Sequence, residues 1–342
     1  MEEGLTRKAE LIRGGGVRLP EGYQLPCRIS HSIAGPCAGR EAAVFAFGGF
    51  RVKKPVSRDE GEFELRVAED GSLSMYRGGE VFLESVQVQP VVRHCPEQAV
   101  FCLDTRSIHR RAFSTHPEDL LAEGKPLTVD RIMAMISESA AEAKVKSVSF
   151  TSGVSDTVDA TVDRICEAVA AVRESYPKMT IGVEAYVEQA EQIARLREAG
   201  SNEIKINVDC ARPDIHERMC PDTDYETAFS MLKEANQYYK KGKLASNVIY
   251  GLGETDQDID MVLERLCRMN VLPVLRMVRM NDFNRERLIG AGAPAEPPTV
   301  LRTLFLSSLQ KSAMKRHGLN PERFHCMCFS CQCCDLVPFT DF

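Results

Sequence analysis

The sequence predicts an α/β fold: a partial (β/α)6 TIM-like barrel with a small N-terminal β domain and a cysteine-rich C-terminal tail. Three observations predict it. Beyond Pro90, six short apolar runs alternate with segments of helical period, and strict alternation implies a parallel sheet with helices outside it. Before Pro90 helical period is lacking, and glycine-containing turns divide short strand-like runs. After Gly318, five cysteines fall within nine residues. Six units rather than eight imply an incomplete barrel. The expected boundaries are residues 1–89 for the β-rich appendage, 90–317 for the barrel and 318–342 for the tail.

Taken in order, Met1–Gly16 is charged and glycine-rich, without the apolar core of a signal peptide. Ala43–Phe47, Glu62–Val67, Ser72–Tyr76 and Glu80–Val88 read as strands, joined through Gly48-Gly49, Asp70-Gly71 and Gly78-Gly79. Val91–His94, or a little beyond, is the first barrel strand, and a long polar loop follows it. Val129–Lys144 places Ile132, Met135, Ile136, Ala140 and Ala143 at helical spacing. The remaining strands are Ser147–Phe150, Thr180–Val183, Glu203–Val208, Ser246–Tyr250 and Val274–Met277. The helices after them are Thr161–Ser175, Val187–Ala199, Tyr225–Tyr239, Thr255–Arg268 and Thr299–His317. Gly200 caps one of these, and Thr255 with Asp258 forms a capping box on another.

The net charge is −6, and no run of five basic residues occurs. A phosphate-backbone binder needs a basic face, so no nucleic-acid partner is expected. No apolar stretch approaches the roughly 18 residues of a membrane span. No membrane partner is expected either, and the expected location is cytoplasmic. In that compartment the 13 cysteines are not disulfides. Cys166, Cys210, Cys220 and Cys267 fall singly within or beside predicted elements and read as packing residues.

Barrels of this kind place their chemistry at the C-terminal ends of strands. The segments there are His94–Ser114, Thr151-Ser152-Gly153, Glu184-Ala185, Asn207-Val208-Asp209, Gly251–Glu254 and Arg276–Asn281. They are polar or glycine-rich, as a ligand-facing rim is. The strand Ser246–Tyr250 runs into Gly251-Leu252-Gly253-Glu254-Thr255 and then a helix. Glycines there let a backbone approach a flat ring, whose edge strand amides can hydrogen-bond. Alone, the run also reads as an ordinary strand–turn–helix. Ala199-Gly200-Ser201-Asn202-Glu203-Ile204-Lys205-Ile206-Asn207-Val208-Asp209, followed by His216-Glu217-Arg218-Met219-Cys220-Pro221, extends the pattern.

Over about residues 90–300 these runs resemble the radical S-adenosylmethionine (SAM) superfamily, in the branch of biotin and lipoyl synthases. The resemblance implies a set of cofactor contacts. Ile249, Gly251, Gly253 and Glu254 would form the adenine strand, and Asn207 would face the ribose. Thr151, Ser152 and Gly153 would form the turn whose carbonyls hold the methionyl amino group. Glu184 would contact the ribose or the amino acid moiety. Arg276, with Arg279, would hold the SAM carboxylate or a substrate anion.

The family binds a four-iron four-sulfur ([4Fe–4S]) cluster through Cys-x3-Cys-x2-Cys after the first strand. Three thiolates hold three irons, and the fourth iron is left open to chelate SAM. In this chain the motif is degenerate, and two frames fit it in part. Cys95-Pro96-Glu97-Gln98-Ala99-Val100-Phe101-Cys102 keeps the outer cysteines and the aromatic residue, with Ala99 in the middle. Ser107-Ile108-His109-Arg110-Arg111-Ala112-Phe113-Ser114 keeps the frame and Phe113, with Ser107, Arg111 and Ser114 at the ligand positions. Both frames stay open, and serine or arginine does not replace a soft thiolate. The tail is expected to compensate. Cys326, Cys331 and Cys334 are spaced Cys-x4-Cys-x2-Cys, and Cys328 and Cys333 lie between them. These five, with Cys95 and Cys102, are the expected cluster or metal ligands, iron–sulfur before zinc, with Cys27 and Cys37 as further ones.

Two functions follow. The first is a radical SAM-type enzyme of cofactor biosynthesis, including sulfur insertion. Its cluster reduces SAM to methionine and a 5′-deoxyadenosyl radical, which removes hydrogen from an unactivated carbon. Such an enzyme implies a small-molecule or carrier-bound substrate and an electron donor such as ferredoxin or flavodoxin. The β appendage would recognise a carrier or partner subunit. The second function is a degenerate SAM-binding pseudoenzyme, or an iron–sulfur carrier or partner subunit. The two differ in whether SAM meets an open iron.

Overall fold

The structure, a computed structural model, describes residues 2–25, 30–31, 37, 40–91, 94–115, 126–142 and 145–342. Cys27, residues 92–93, residues 116–125 of the expected polar loop and Ala143 with Lys144 at the end of the expected helix lie outside the described residues.

The chain begins with a helix, Glu2–Arg13, that the charged, glycine-containing sequence did not suggest. Glu2 and Glu3 at its start and Arg13 at its end suit the helix dipole. It buries Lys8, Ala9, Leu11 and Ile12. Among the described residues seven strands follow: β1 (Val17–Arg18), β2 (Ser30–His31), β3 (Glu41–Phe47), β4 (Phe50–Ser57), β5 (Phe63–Val67), β6 (Leu73–Arg77) and β7 (Glu80–Gln89). Their order is β2-β3-β4-β1-β5-β6-β7, and β7 pairs back onto β3. The strands β3, β4, β1, β5, β6 and β7 therefore form a closed ring around Phe45, Phe63, Leu65 and Met75, all fully buried. Strand β4 had escaped the sequence reading because Arg51, Lys53, Lys54 and Pro55 interrupt its apolar pattern. The reason is local. The Lys54 ammonium is buried and donates to the carbonyls of Leu11 (2.6 Å) and Gly14 (2.5 Å) at the end of the first helix.

The second sheet runs in sequence order: β8 (His94–Cys95), β9 (Gln98–Cys102), β10 (Ser147–Thr151), β11 (Thr180–Glu184), β12 (Glu203–Lys205), β13 (Leu244–Tyr250) and β14 (Leu272–Met277). Strands β9 to β14 are parallel. The helices Val129–Glu142, Val158–Ser175, Ala190–Glu198, Tyr225–Ala235, Asp256–Arg268 and Val300–Arg316 follow them one by one. One expectation is corrected. The first parallel strand is Gln98–Cys102, not Val91–His94. His94–Cys95 pairs antiparallel with it across a turn made by Pro96 and the left-handed Glu97 (φ 57°).

Among the described residues β9 and β14 do not pair, so the sheet is an open arc. The free edge of β14 is capped by side chains instead. The Met277 amide donates to Asp335 Oδ1 (3.2 Å), and Gln310 Nε2 donates to the Pro273 carbonyl (2.7 Å). The inner face of the arc is polar, since alternate residues such as Glu203 and Lys205 point inward while Ile204 joins the core under the helices. The tail after Gly318 fills that interior. The His325 amide donates to both Glu203 oxygens. Cys326 lies against Gly182, where a Cβ would come within 2.7 Å of the Cys326 Cβ. A short helix, Met327–Cys331, follows, and Gln332 turns the chain through a left-handed conformation. The tail then reaches the N-terminal ring, where the Lys53 amide donates to the Cys333 carbonyl. Among the described residues no helix is long and apolar enough to cross a membrane.

Candidate functional site

A cleft of about 780 Å³ opens at the C-terminal ends of the parallel strands. One wall is made by Thr151, Ser152, Gly153, Glu184, Asn207, Asn247, Ile249 and Arg276. These strand ends come together because the strands share one register direction. The turn after β10 is tied to the loop after β9: the Gly153 amide donates to the Asp104 carbonyl (2.8 Å). A Cβ on Gly153 would lie 2.2 Å from the Arg106 carbonyl oxygen, so only glycine fits there.

Glu184 is the electrostatic centre of this wall. Its carboxylate accepts from Asn207 Nδ2 (2.7 Å) and Asn247 Nδ2 (3.3 Å) and pairs with Lys205 Nζ (3.0 Å). Burial alone would raise its pKa, but the Lys205 ammonium and the Asn207 amide hold it below the ordinary glutamate range. The Asn247 Oδ1 atom is buried without a hydrogen-bond partner in the structure. Such an atom is an acceptor available to a donor on a ligand.

Eight of the expected SAM residues thus line one cleft: Thr151, Ser152, Gly153, Glu184, Asn207, Ile249 and Arg276 on this wall, and Arg279 beside it. Gly251, Gly253 and Glu254 do not line it. Gly251 (φ +94°) is required by the fold, because a Cβ would lie 2.7 Å from Pro298 Cγ and 2.8 Å from Val278 Cγ1. Glu254 is buried and accepts from the amides of Gly251 and Leu252, both at 2.8 Å, and from Arg302. The close approach that this glycine run permits is therefore to the protein itself. The cleft residues missed by the sequence reading are Asn247 and, behind the wall, Lys205. The signal was the alternation Glu203-Ile204-Lys205-Ile206-Asn207, which marks a polar inner face.

The opposite wall is the loop after β9, including Ser107, Arg111 and Ser114. Arg111 Nε forms an ion pair with Asp209 Oδ2 (3.3 Å) without the alignment of a hydrogen bond. Burial raises the Asp209 pKa, with Arg111 acting against it. Cys102 also lines the cleft, and its thiol, directed at the Asp104 carbonyl, is pushed up to about 12 by burial and by the Asp104 charge. Cys102 and Cys95 do not meet. Gln98, the partner of Cys95, and Cys102 are four residues apart on β9, about 13 Å at the ordinary strand rise.

Below the cleft, inside the arc, lies a cavity of about 180 Å³ lined by Cys95, Cys328, Cys331 and Cys334. Thr151, Glu184 and Arg276 line both spaces. Cys95 and Cys334 each share a hydrogen bond with Cys331, and these bonds together with burial push both thiols well up. Cys328 Sγ accepts from Lys205 Nζ (3.7 Å) and Arg276 Nη1 (3.6 Å). Its pKa is raised by burial, although both cations oppose that. Cys326 and Cys333 do not line the cavity. Cys326 Sγ points at the Val148 carbonyl (3.9 Å), and Cys333 Sγ donates to the Cys331 carbonyl (2.9 Å). Arg279 also lines the cleft, and its guanidinium donates to the Cys334 carbonyl (2.8 Å) and pairs with Asp335. Among the described residues no three ligand side chains converge tightly enough for a single metal ion.

Residues 90–266, a little over half of the chain, match the family described as the Radical SAM superfamily. A lipoyl synthase of Glaesserella parasuis is 28% identical over 189 residues, covering 49% of this chain and 58% of that protein. A lipoyl synthase of Methylobacillus flagellatus is 26% identical over 193 residues, with the same coverage. The chain thus spans under two thirds of the length of these relatives. The crystal structure of methylornithine synthase superposes with a TM-score of 0.48 at 13% identity, covering 65% of this chain and 69% of that one.

Proposed function

The chain belongs to the radical SAM superfamily, and from that premise we propose that it is an iron–sulfur enzyme of cofactor biosynthesis that cleaves SAM reductively. The arc of six parallel strands reads as an incomplete barrel, and its cleft is the SAM site. The observation that carries this reading is the convergence of seven expected contact residues on one wall. When bound, a [4Fe–4S] cluster supplies the electron that splits SAM into methionine and a 5′-deoxyadenosyl radical able to take hydrogen from an unactivated carbon.

The chain's own residues bind and orient. Glu184, held in place by Lys205, Asn207 and Asn247, offers a fixed carboxylate to the ribose hydroxyls or the amino group. Asn247 Oδ1 offers the remaining acceptor. Arg276 is positioned for a carboxylate, and Ile249 gives the adenine an apolar face. Lys205 and Arg276 would neutralise charge on sulfur ligands next to the cleft. The substrate, a small molecule or a carrier-bound group undergoing sulfur insertion, would enter past Arg110, Arg111 and Arg218, which line the outer cleft. Ferredoxin or flavodoxin would supply the electron.

A second reading, a SAM-binding protein without radical chemistry, is favoured by the loop after β9, where Arg111 and two serines stand in the thiolate frame. One experiment separates the two. Anaerobically reconstituted chain, reduced with dithionite and given SAM, should release 5′-deoxyadenosine and methionine in equal amounts. SAM that binds and stays intact supports the second reading, and SAM that does not bind removes both.

A further inference from the structure

We propose that Cys95, Cys328, Cys331 and Cys334 together hold an iron–sulfur cluster inside the strand arc, in the cavity beneath the cleft. These four thiols come from two distant segments, the β8 strand and the tail, and they line the same buried space. The neighbouring cysteines are engaged elsewhere: Cys326 is packed against Gly182, and the Cys333 thiol is bonded to a carbonyl. Cys102 stands at the far end of β9 and lines the cleft alone.

The surroundings suit bound thiolates. Burying negative sulfur without compensation is costly, and here Lys205 and Arg276 both direct N–H groups at Cys328. Soft sulfur donors select iron–sulfur clusters, zinc or copper(I). A single zinc needs its four ligands at about 2.3 Å from one point, and these side chains do not converge so tightly. In a cluster each thiolate binds a different iron of a larger core, so Cys331, which shares hydrogen bonds with Cys95 and Cys334, would part from both on loading. Within the tail, the short helix Met327–Cys331 separates Cys328 from Cys331, and the left-handed Gln332 lies between Cys331 and Cys334.

Because Thr151, Glu184 and Arg276 belong to both spaces, a cluster in the cavity would sit one residue layer from a ligand in the cleft. The proposal rests on the radical SAM reading for what the cluster does, and not for where it sits.

The test uses the full chain, purified anaerobically and loaded with ferrous iron and sulfide. About four irons and four sulfides per chain are expected, with a Mössbauer spectrum of a tetrahedral sulfur-ligated cluster. Cys331→Ser and Cys334→Ser should each lose most of the iron, whereas Cys326→Ser, Cys333→Ser and Cys102→Ser should keep it. Alkylation by iodoacetamide is followed over hours, long enough for local opening, and mapped by mass spectrometry. Loading should slow labelling of the four proposed ligands several-fold and leave Cys166 unchanged; this pattern in the unsubstituted chain decides the matter where a serine variant fails to fold. Iron retained in Cys331→Ser and Cys334→Ser, protection of a different set of thiols, or uptake of zinc with no iron would each overturn the proposal. Iron held at these thiols with SAM left uncleaved keeps the site and removes the enzymatic reading. SAM cleaved while the four thiols label freely keeps the enzyme and removes the site.

Discussion

Glu184, Lys205, Asn207 and Asn247 form one hydrogen-bonded group reaching from β11 across β12 to β13. Glu184→Gln removes the carboxylate and leaves the Lys205 ammonium facing only Cys328. SAM affinity of the metal-free chain, measured by equilibrium dialysis, should fall about tenfold or more, or at least about 1.4 kcal/mol. Asn207→Ala should produce a similar loss by removing the shorter of the two hydrogen bonds to Glu184 Oε1 and freeing the Asn247 backbone amide, which donates to Asn207 Oδ1. Glu184, Asn207 and Arg276 were legible in the sequence because each ends an apolar strand, where side chains reach the cleft. Lys205 and Asn247 were not legible in the same way. Their partners come from neighbouring strands, and strand pairing is a long-range property that local pattern does not carry.

At the scale of the element, two connections show how much the turns decide. Gly251 has a positive φ and no room for a methyl group, so Gly251→Ala should destabilise the fold by about 2 kcal/mol or more in urea denaturation. Lys54 of β4 closes the end of the first helix through two carbonyls. Burial, with Arg279 nearby, pulls its ammonium down to about 7. Between about pH 7 and the usual lysine range near 10.5, the unfolded chain therefore binds more protons than the folded one, and this residue makes stability rise with pH. Thermal melts across that range should show the rise in the unsubstituted chain and a smaller one in Lys54→Met. The helix and strand alternation from Ser147 to Met277 was legible because each element is a short periodic run with its own cap or turn. The first helix and β4 were not, because buried lysines mask an apolar pattern. Their burial depends on carbonyls contributed by other elements.

For the whole molecule, the tail is what completes the arc. Lys8 in the first helix pairs with Asp341 (2.8 Å) and donates to the Gln332 carbonyl (2.8 Å), with both charged side chains almost fully buried. Breaking a buried pair from one side is costly, so Lys8→Met should destabilise by about 3–5 kcal/mol, and Lys8→Met/Asp341→Leu should recover part of that loss in a urea double-mutant cycle. The tail's cysteines were conspicuous in the sequence. Their division into three that line a cavity with Cys95 and two that pack was not, because it depends on Gly182 and on the carbonyls of Val148 and Cys331. The filled interior also has a meaning in time. Chains are made from the N-terminus and their early parts fold first, so every strand of the arc leaves the ribosome before residues 324–337 do. Until those residues arrive, Glu184, Glu203 and Lys205 face water in an unplugged trough, and a cluster held by Cys328, Cys331 and Cys334 can be installed only once translation has supplied the stopper that ligates it.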